Sequence, residues 1–206
     1  MSYIYGLLKA VISALLNTMH HLTGNFGVAI ILATIVIKIV LLPLTLKQDK
    51  SMKSMKKLQP ELDRIKKQYK DDPQTMNQKT MELYKENKVN PAGGCLPLLI
   101  QLPILWALFG VLRDPNTVPP ASTFLWMKLV NPDPYYILPV LNGVVSFLQQ
   151  KLMGSSNNPQ MKNMMYIFPV MMIFISYKMP AGLQIYWLAS SVASVVQQYL
   201  IMKKGD

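Results

Sequence analysis

The chain has 206 residues, is 51% hydrophobic and carries a formal net charge of +11. That length suits one domain or two small ones, and the chain is far too apolar to be disordered. Of its 21 Lys+Arg and 10 Asp+Glu, 12 and 7 lie between residues 47 and 88; the remainder holds five long charge-poor stretches, which excludes an ordinary soluble globular fold.

Residues 1–24 come first. Ile4, Leu7, Leu8, Val11, Ile12, Leu15, Leu16 and Met19 recur at helical spacing, with Lys9, Ser13, Asn17 and His20 mainly off that stripe. The pattern predicts an amphipathic helix lying in the membrane interface. A signal-like segment would place its positive charge at the front and an unbroken apolar run behind it, and Lys9 and Asn17 fit that poorly.

Residues 26–46 predict the first membrane span, interrupted only by Thr34 and Lys38. Lys38 lies near its midpoint. Leu46 is about 12 Å further along a helix, too far for a lysine to snorkel comfortably. A lone Lys at that depth costs ~2.5–3.5 kcal/mol on insertion scales. None of the expected spans contains Asp or Glu, so Lys38 is expected to face a wet cavity inside a helix bundle.

Residues 47–88 predict a cytoplasmic helical hairpin with a net charge of +5. Leu58, Leu62, Ile65 and Tyr69 form one stripe, and Met76, Thr80, Leu83 and Asn87 a weaker one. Asp71-Asp72-Pro73 breaks the pattern between them, with Pro73 suited to a turn or a helix start. A solvated basic hairpin near anionic lipid explains the charges. A capture surface for incoming polypeptide explains them too, and Met52, Met55, Met76 and Met81 would adapt to varied apolar partners. On that reading Met52, Met55, Lys56, Lys57 and Arg64 carry the contact.

Four more spans are expected at 96–112, 135–152, 165–179 and 181–202, within the membrane core 25–46 plus 89–202. The middle three are short. Seventeen residues reach ~26 Å against a hydrocarbon core of ~30 Å, which implies local thinning of the bilayer. Lys and Arg near span ends divide 16 to 4, placing 47–88, 151–163 and the tail 203–206 in the cytoplasm and the amino end outside. Five spans require opposite ends, so parity and charge agree.

Polar residues recur every three or four positions in two spans: Asn142, Ser146, Gln149 and Gln150 in one, Gln184, Ser191, Ser194 and Gln198 in the other. Interhelical hydrogen bonding explains each stripe alone. Beside an unpaired mid-membrane Lys38, with Thr34 one turn before it on the same face, a water-filled groove explains them together.

Enzyme chemistry finds no foothold. Cys95 is the single cysteine, which excludes an intramolecular disulfide and a multi-Cys zinc site. His20 and His21 point to different helix faces and make a poor metal pair. No HExxH, GxSxG, Walker A or GxGxxG pattern occurs. Neither a cofactor nor a metal is expected, and nothing points to specific nucleic-acid binding.

Three further runs carry a resemblance. They are Asn90-Pro91-Ala92-Gly93-Gly94-Cys95-Leu96-Pro97 with Leu98-Leu99-Ile100-Gln101-Leu102-Pro103-Ile104, then Asp133-Pro134-Tyr135-Tyr136-Ile137-Leu138-Pro139, then Pro180-Ala181-Gly182-Leu183-Gln184-Ile185-Tyr186-Trp187. From about 26 to 202 the chain resembles YidC-type membrane protein insertases, and looks like a bacterial member without the large extracytoplasmic domain of some relatives. The resemblance implies an all-α integral membrane protein of the bacterial plasma membrane. Its five helices would form a bundle around a hydrophilic groove open to cytoplasm and lipid and closed outside.

The family's groove carries one basic residue, usually Arg; Lys38 matches that position, before Leu41-Leu42-Pro43-Leu44. Lys keeps the charge and loses the bidentate fork. Thr34 matches a groove-lining position. Tyr186 and Trp187 match an aromatic pair associated with substrate contact, although bundle packing would also use them. The second and fourth spans resemble an apolar slide, which Met164, Met165, Met171 and Met172 suit. The implied partners are nascent membrane proteins and the bilayer, with the ribosome and a Sec-type translocon as further candidates. The short tail Lys203-Lys204-Gly205-Asp206 departs from relatives with a long basic tail and counts against tail-mediated ribosome docking.

The expected mechanism makes and breaks no bond. The hairpin catches a hydrophobic segment, its polar end enters the groove towards Lys38, and its apolar flank slides into lipid. The alternative is a small anion channel or transporter with Lys38 as selectivity charge, which would need a continuous pore. A membrane-anchored scaffold presenting the basic hairpin leaves Lys38 unexplained.

Overall fold

The computed structural model of the protein describes residues 2–89, 96–153 and 159–204. Eight helices occur among them: α1 (Ser2–Thr23), α2 (Phe26–Lys57), α3 (Gln59–Gln68), α4 (Pro73–Glu86), α5 (Leu96–Leu112), α6 (Ile137–Met153), α7 (Pro159–Ser176) and α8 (Ala181–Lys204). A two-residue strand pair, β1 (Thr123–Phe124) and β2 (Met127–Lys128), sits between α5 and α6.

The first turn of chain follows from Thr23-Gly24-Asn25. Gly24 takes φ +69 and its N–H bonds the His20 carbonyl at 2.7 Å, which ends α1 in the left-handed manner that glycine allows. The Asn25 side-chain oxygen then accepts from the Gly27 and Val28 N–H groups at 2.8 and 3.2 Å, capping α2.

α1 lies across one end of the bundle. Lys9 Nζ pairs with Asp114 Oδ2 at 3.0 Å, just beyond the last residue of α5. Thr23, at the other end of α1, immediately precedes α2. Ile12 and Leu16 are buried beneath, in the same cluster as Ala29 and Ile30 of α2 and Ala107, Leu108 and Val111 of α5.

The 113–136 segment fills the rest of that end. Ala181 N–H bonds the Asn131 carbonyl at 2.7 Å and Gly182 N–H bonds the Leu129 carbonyl at 2.9 Å. Gly27 lies against the Phe124 ring so closely that a Cβ there would overlap it. Val118, Met127 and Leu129 are buried. Most of the apolar core thus sits at this end, where α2 and α8 begin and α5 ends.

The β1–β2 hairpin corrects the expectation of a wholly helical chain. Its turn is Leu125-Trp126, with Leu125 at φ +53. It lacks the Gly, Asn or Asp that marks such turns in a sequence. It is held instead by Trp126 Nε1, which donates to Asp133 Oδ1 at 2.9 Å.

Helix α2 does not stop at residue 46. It runs unbroken to Lys57 with Pro43 inside it, so residues 47–57 continue the helix that carries Lys38. The hairpin proper is α3 and α4, joined through buried Leu58, Leu62 and Leu83 with Ile65, Tyr84 and Val89 packed against them. Pro73 opens α4, and Asp72 caps it by accepting from Gln74 and Thr75 N–H at 3.2 and 3.1 Å.

Among the described residues one helix, α2, is long and apolar enough by itself to cross a membrane. α5 and α6 have 17 residues each, α7 has 18 and α8 has 24. Large apolar side chains stay exposed along this set, including Ile39 and Val40 of α2, Trp106 of α5 and Phe174 of α7. Surface of that kind marks contact with lipid or a partner.

Candidate functional site: a polar seam between α2, α6 and α8

α2 packs along α8, and α6 packs against both α7 and α8. Thr34, Lys38, Thr45 and Asp49 stand four, seven and four residues apart on α2, and so share one face for about 22 Å. Thr34 is buried and donates to the Ile30 carbonyl at 2.6 Å. Lys38 Nζ donates to Ser194 Oγ at 2.9 Å, and Ser194 Oγ donates in turn to the Ser190 carbonyl at 3.0 Å. Among the described residues Lys38 has no carboxylate within ion-pairing distance.

The seam continues in both directions. Towards the packed end, Asn142, Ser146, Gln184, Ser190 and Ser191 are all buried. Asn142 Nδ2 donates to the Gln184 carbonyl at 3.4 Å, and Gln184 Nε2 to the Met179 carbonyl at 2.7 Å. Towards the other end, Gln197 Nε2 donates to Thr45 Oγ1 at 3.1 Å and to Asp49 Oδ2 at 2.8 Å. Gln48 is buried beside them in sequence.

Several amides in these helices are incompletely satisfied. Gln48 Nε2, Asn142 Oδ1, Gln150 Nε2, Gln184 Oε1 and Gln198 Oε1 are buried without a hydrogen-bond partner among the described residues. Each such atom left dry costs ~1–3 kcal/mol.

The structure thus brings Lys38, Thr34, Asn142, Ser146, Gln184, Ser191 and Ser194 onto helices that pack together. Gln149 is half-buried, and its neighbour Gln150 carries the orphaned amide. Tyr186 is buried in the apolar core, and its hydroxyl accepts from Gln101 Nε2 of α5. Trp187 is half-buried. Met172 is buried while Met171 is 42% exposed, so the two face different sides of α7.

On the hairpin side, Met55 is half-buried and Lys57 and Arg64 are exposed. The side chains of Met52, Lys56, Met164 and Met165 lie outside the described residues, as do residues 90–95 of the first motif and Gly205 and Asp206.

Three seam residues went unnoticed in the sequence: Thr45, Asp49 and Gln197. Placing the end of the first span at Leu46 cut the face just where it continues. The spacing of Thr45 and Asp49 from Lys38 was the available signal.

Asp133 is a second buried polar centre, outside the seam. It is 1% exposed, and its carboxylate accepts from Trp126 Nε1, Tyr135 N–H and Leu138 N–H at 2.9, 3.1 and 2.8 Å. Burial alone would push this acid up. The hydrogen bonds, led by that of Leu138, outweigh burial and hold it below the usual carboxylate range. It ties the β1–β2 turn to the start of α6. Among the described residues no group of three His, Cys, Asp or Glu is placed to hold a metal.

Residues 18–206 match the family model described as 60Kd inner membrane protein. A Fusobacterium nucleatum protein named membrane protein insertase YidC is 69% identical over 205 residues, covering 100% of both chains. The chain belongs to the YidC family. A Caldanaerobacter subterraneus YidC is 45% identical over 193 residues, covering 92% of this chain and 91% of its own. A Geobacter sulfurreducens YidC is 43% identical over 187 residues, and there the match spans 35% of the relative's length.

A crystal structure titled as an active YidC insertase with its first transmembrane domain resolved superimposes with a TM-score of 0.77 at 33% identity. It covers 96% of this chain and 46% of that one. The YidC match from residue 18 onward takes in the whole seam of α2, α6 and α8.

Proposed function

We propose that the chain is a membrane protein insertase whose working surface is the seam around Lys38. The observation that carries this reading is the Lys38–Ser194 contact: a cation in the apolar stretch of α2, held by a hydroxyl and surrounded by buried polar side chains. A lysine there is tolerable only where water or a substrate can solvate it. In this reading α2, α5, α6, α7 and α8 cross the bacterial plasma membrane, with the amino end outside and the carboxyl end in the cytoplasm. α1 lies in the outer interface, and α3–α4 stands in the cytoplasm as the capture hairpin.

A nascent hydrophobic segment meets the hairpin first. The polar end of the segment then moves along the seam, where amides, hydroxyls and water replace its hydration. Lys38 attracts acidic side chains in the moving part, and the apolar flank passes along α5 and α7 into lipid. Each charge avoids most of the desolvation that bare hydrocarbon would impose. No covalent step is involved. Dense packing at the α1 end, with Met127, Leu129 and Val118 buried, supports a groove closed on one side rather than an anion pore.

Liposomes containing only the purified protein test this. A short substrate with an acidic outer tail should become protected from external protease with wild type and Lys38→Arg. Lys38→Ala should reduce the protected fraction about tenfold, the effect of ~1.4 kcal/mol of lost attraction. Protection no greater than in empty liposomes would refute the reading.

A further inference from the structure

The mouth of the seam holds an acid. Asp49 is the one carboxylate in α2, in a stretch that also carries Lys47, Lys50, Lys53, Lys56 and Lys57. Among the described residues it forms no ion pair. Its Oδ2 instead accepts from Gln197 Nε2 of α8 at 2.8 Å, and the same amide nitrogen donates to Thr45 Oγ1 at 3.1 Å. A neutral amide pins the carboxylate on the seam face without cancelling its charge. Lys38, on the same face, lies 11 residues deeper, about 16 Å along the helix.

We propose that Asp49 is a specificity-determining residue: with Lys38 it forms a fixed charge pair, acid at the mouth and base within, that reads the charge order of an entering segment. This rests on the insertase reading above. A segment whose leading part is acidic and whose trailing flank is basic meets an opposite charge at both ends. A segment with the reverse order meets a like charge at both. The seam therefore favours insertion that leaves Lys and Arg on the cytoplasmic side. The backbone rise between the two positions also sets a scale: about 16 Å is about five residues of extended chain or about eleven of helix.

The test uses proteoliposomes and two substrates of identical composition, one with Asp leading and Lys trailing by five residues, the other with the two exchanged. Each variant is scored by the ratio of their protected fractions, so a loss of folded protein cancels. Wild type should prefer the Asp-leading substrate. Asp49→Asn, which keeps the amide contact, should shrink that ratio about two- to fivefold, the range for a partly solvated charge pair. Asp49→Lys should shrink it further. A ratio unchanged in Asp49→Asn while wild type inserts both substrates would overturn the role of Asp49 and leave the insertase reading standing. Failure of wild type to insert either would overturn both.

Discussion

Lys38 Nζ and Ser194 Oγ meet at 2.9 Å, so the cation inside the apolar length of α2 is held by a neutral hydroxyl. A water molecule or a substrate carboxylate can replace that hydroxyl without stranding a charge. Ser194→Ala should therefore reduce insertion of an acidic-tailed substrate less than Lys38→Ala does, since water or the substrate can take the place of the lost hydroxyl. Ser194→Leu, which fills the seam with apolar bulk, should lower it much more. A Ser194→Ala defect as deep as that of Lys38→Ala would assign the effect to the hydroxyl instead of the charge. Protease protection measures all three.

Asp133 should matter for stability and not for transport. Asp133→Asn weakens charge-assisted hydrogen bonds in a buried site, and should lower unfolding stability by about 1–3 kcal/mol. The pH dependence has a defined sign. Hydrogen bonds depress the acid when folded, so its stabilisation is present above the ordinary carboxylate value and fades as pH falls through the lower, folded one. Thermal unfolding of the detergent-solubilised protein should thus show an acid-side decline in wild type that is shallower in Asp133→Asn.

Gly27 tests the packed end. A methyl group there overlaps the Phe124 ring, so Gly27→Ala should destabilise by about 1–3 kcal/mol. Phe124→Leu removes the obstructing ring, and the double variant should recover part of the loss. Strict additivity of the two losses would mean that α2 and β1 accommodate the methyl independently of one another.

The hairpin has a core of its own, and a small one. Leu62→Ala removes a side chain buried with Leu58 and Leu83, at about 2 kcal/mol or more in a cluster with few other members. Limited proteolysis should then cut residues 59–86 faster while α5 to α8 stay resistant. Equal protection throughout would mean that the hairpin is held by something other than its leucines.

Apolar runs and the Asp71-Asp72-Pro73 break placed most of the helices, because these are local signals, but not the end of α2. Thr34, Lys38, Asn142, Ser146, Ser191 and Ser194 were legible for a related reason: a polar group at helical spacing in an apolar run has few uses. Asp49 and Gln197 were not, since the apolar run ends at Leu46 while the helix does not. Tyr186 was legible as an aromatic of the last helix but not in its direction, which depends on Gln101 of a distant helix. The β1–β2 pair was hidden because Asp133, a residue outside the turn, supplies what its sequence lacks.

Helix α2 has 32 residues, about 48 Å, and joins the hairpin to the seam without a break. Pro43 lies between Lys38 and Asp49; it cannot donate to the Ile39 carbonyl, and its ring crowds that group. The helix is thus a lever with its weak point inside the seam. A bend at that point would shift Asp49 and its contact with Gln197 relative to Lys38. The position of the hairpin and the geometry of the seam are thus set by one continuous helix.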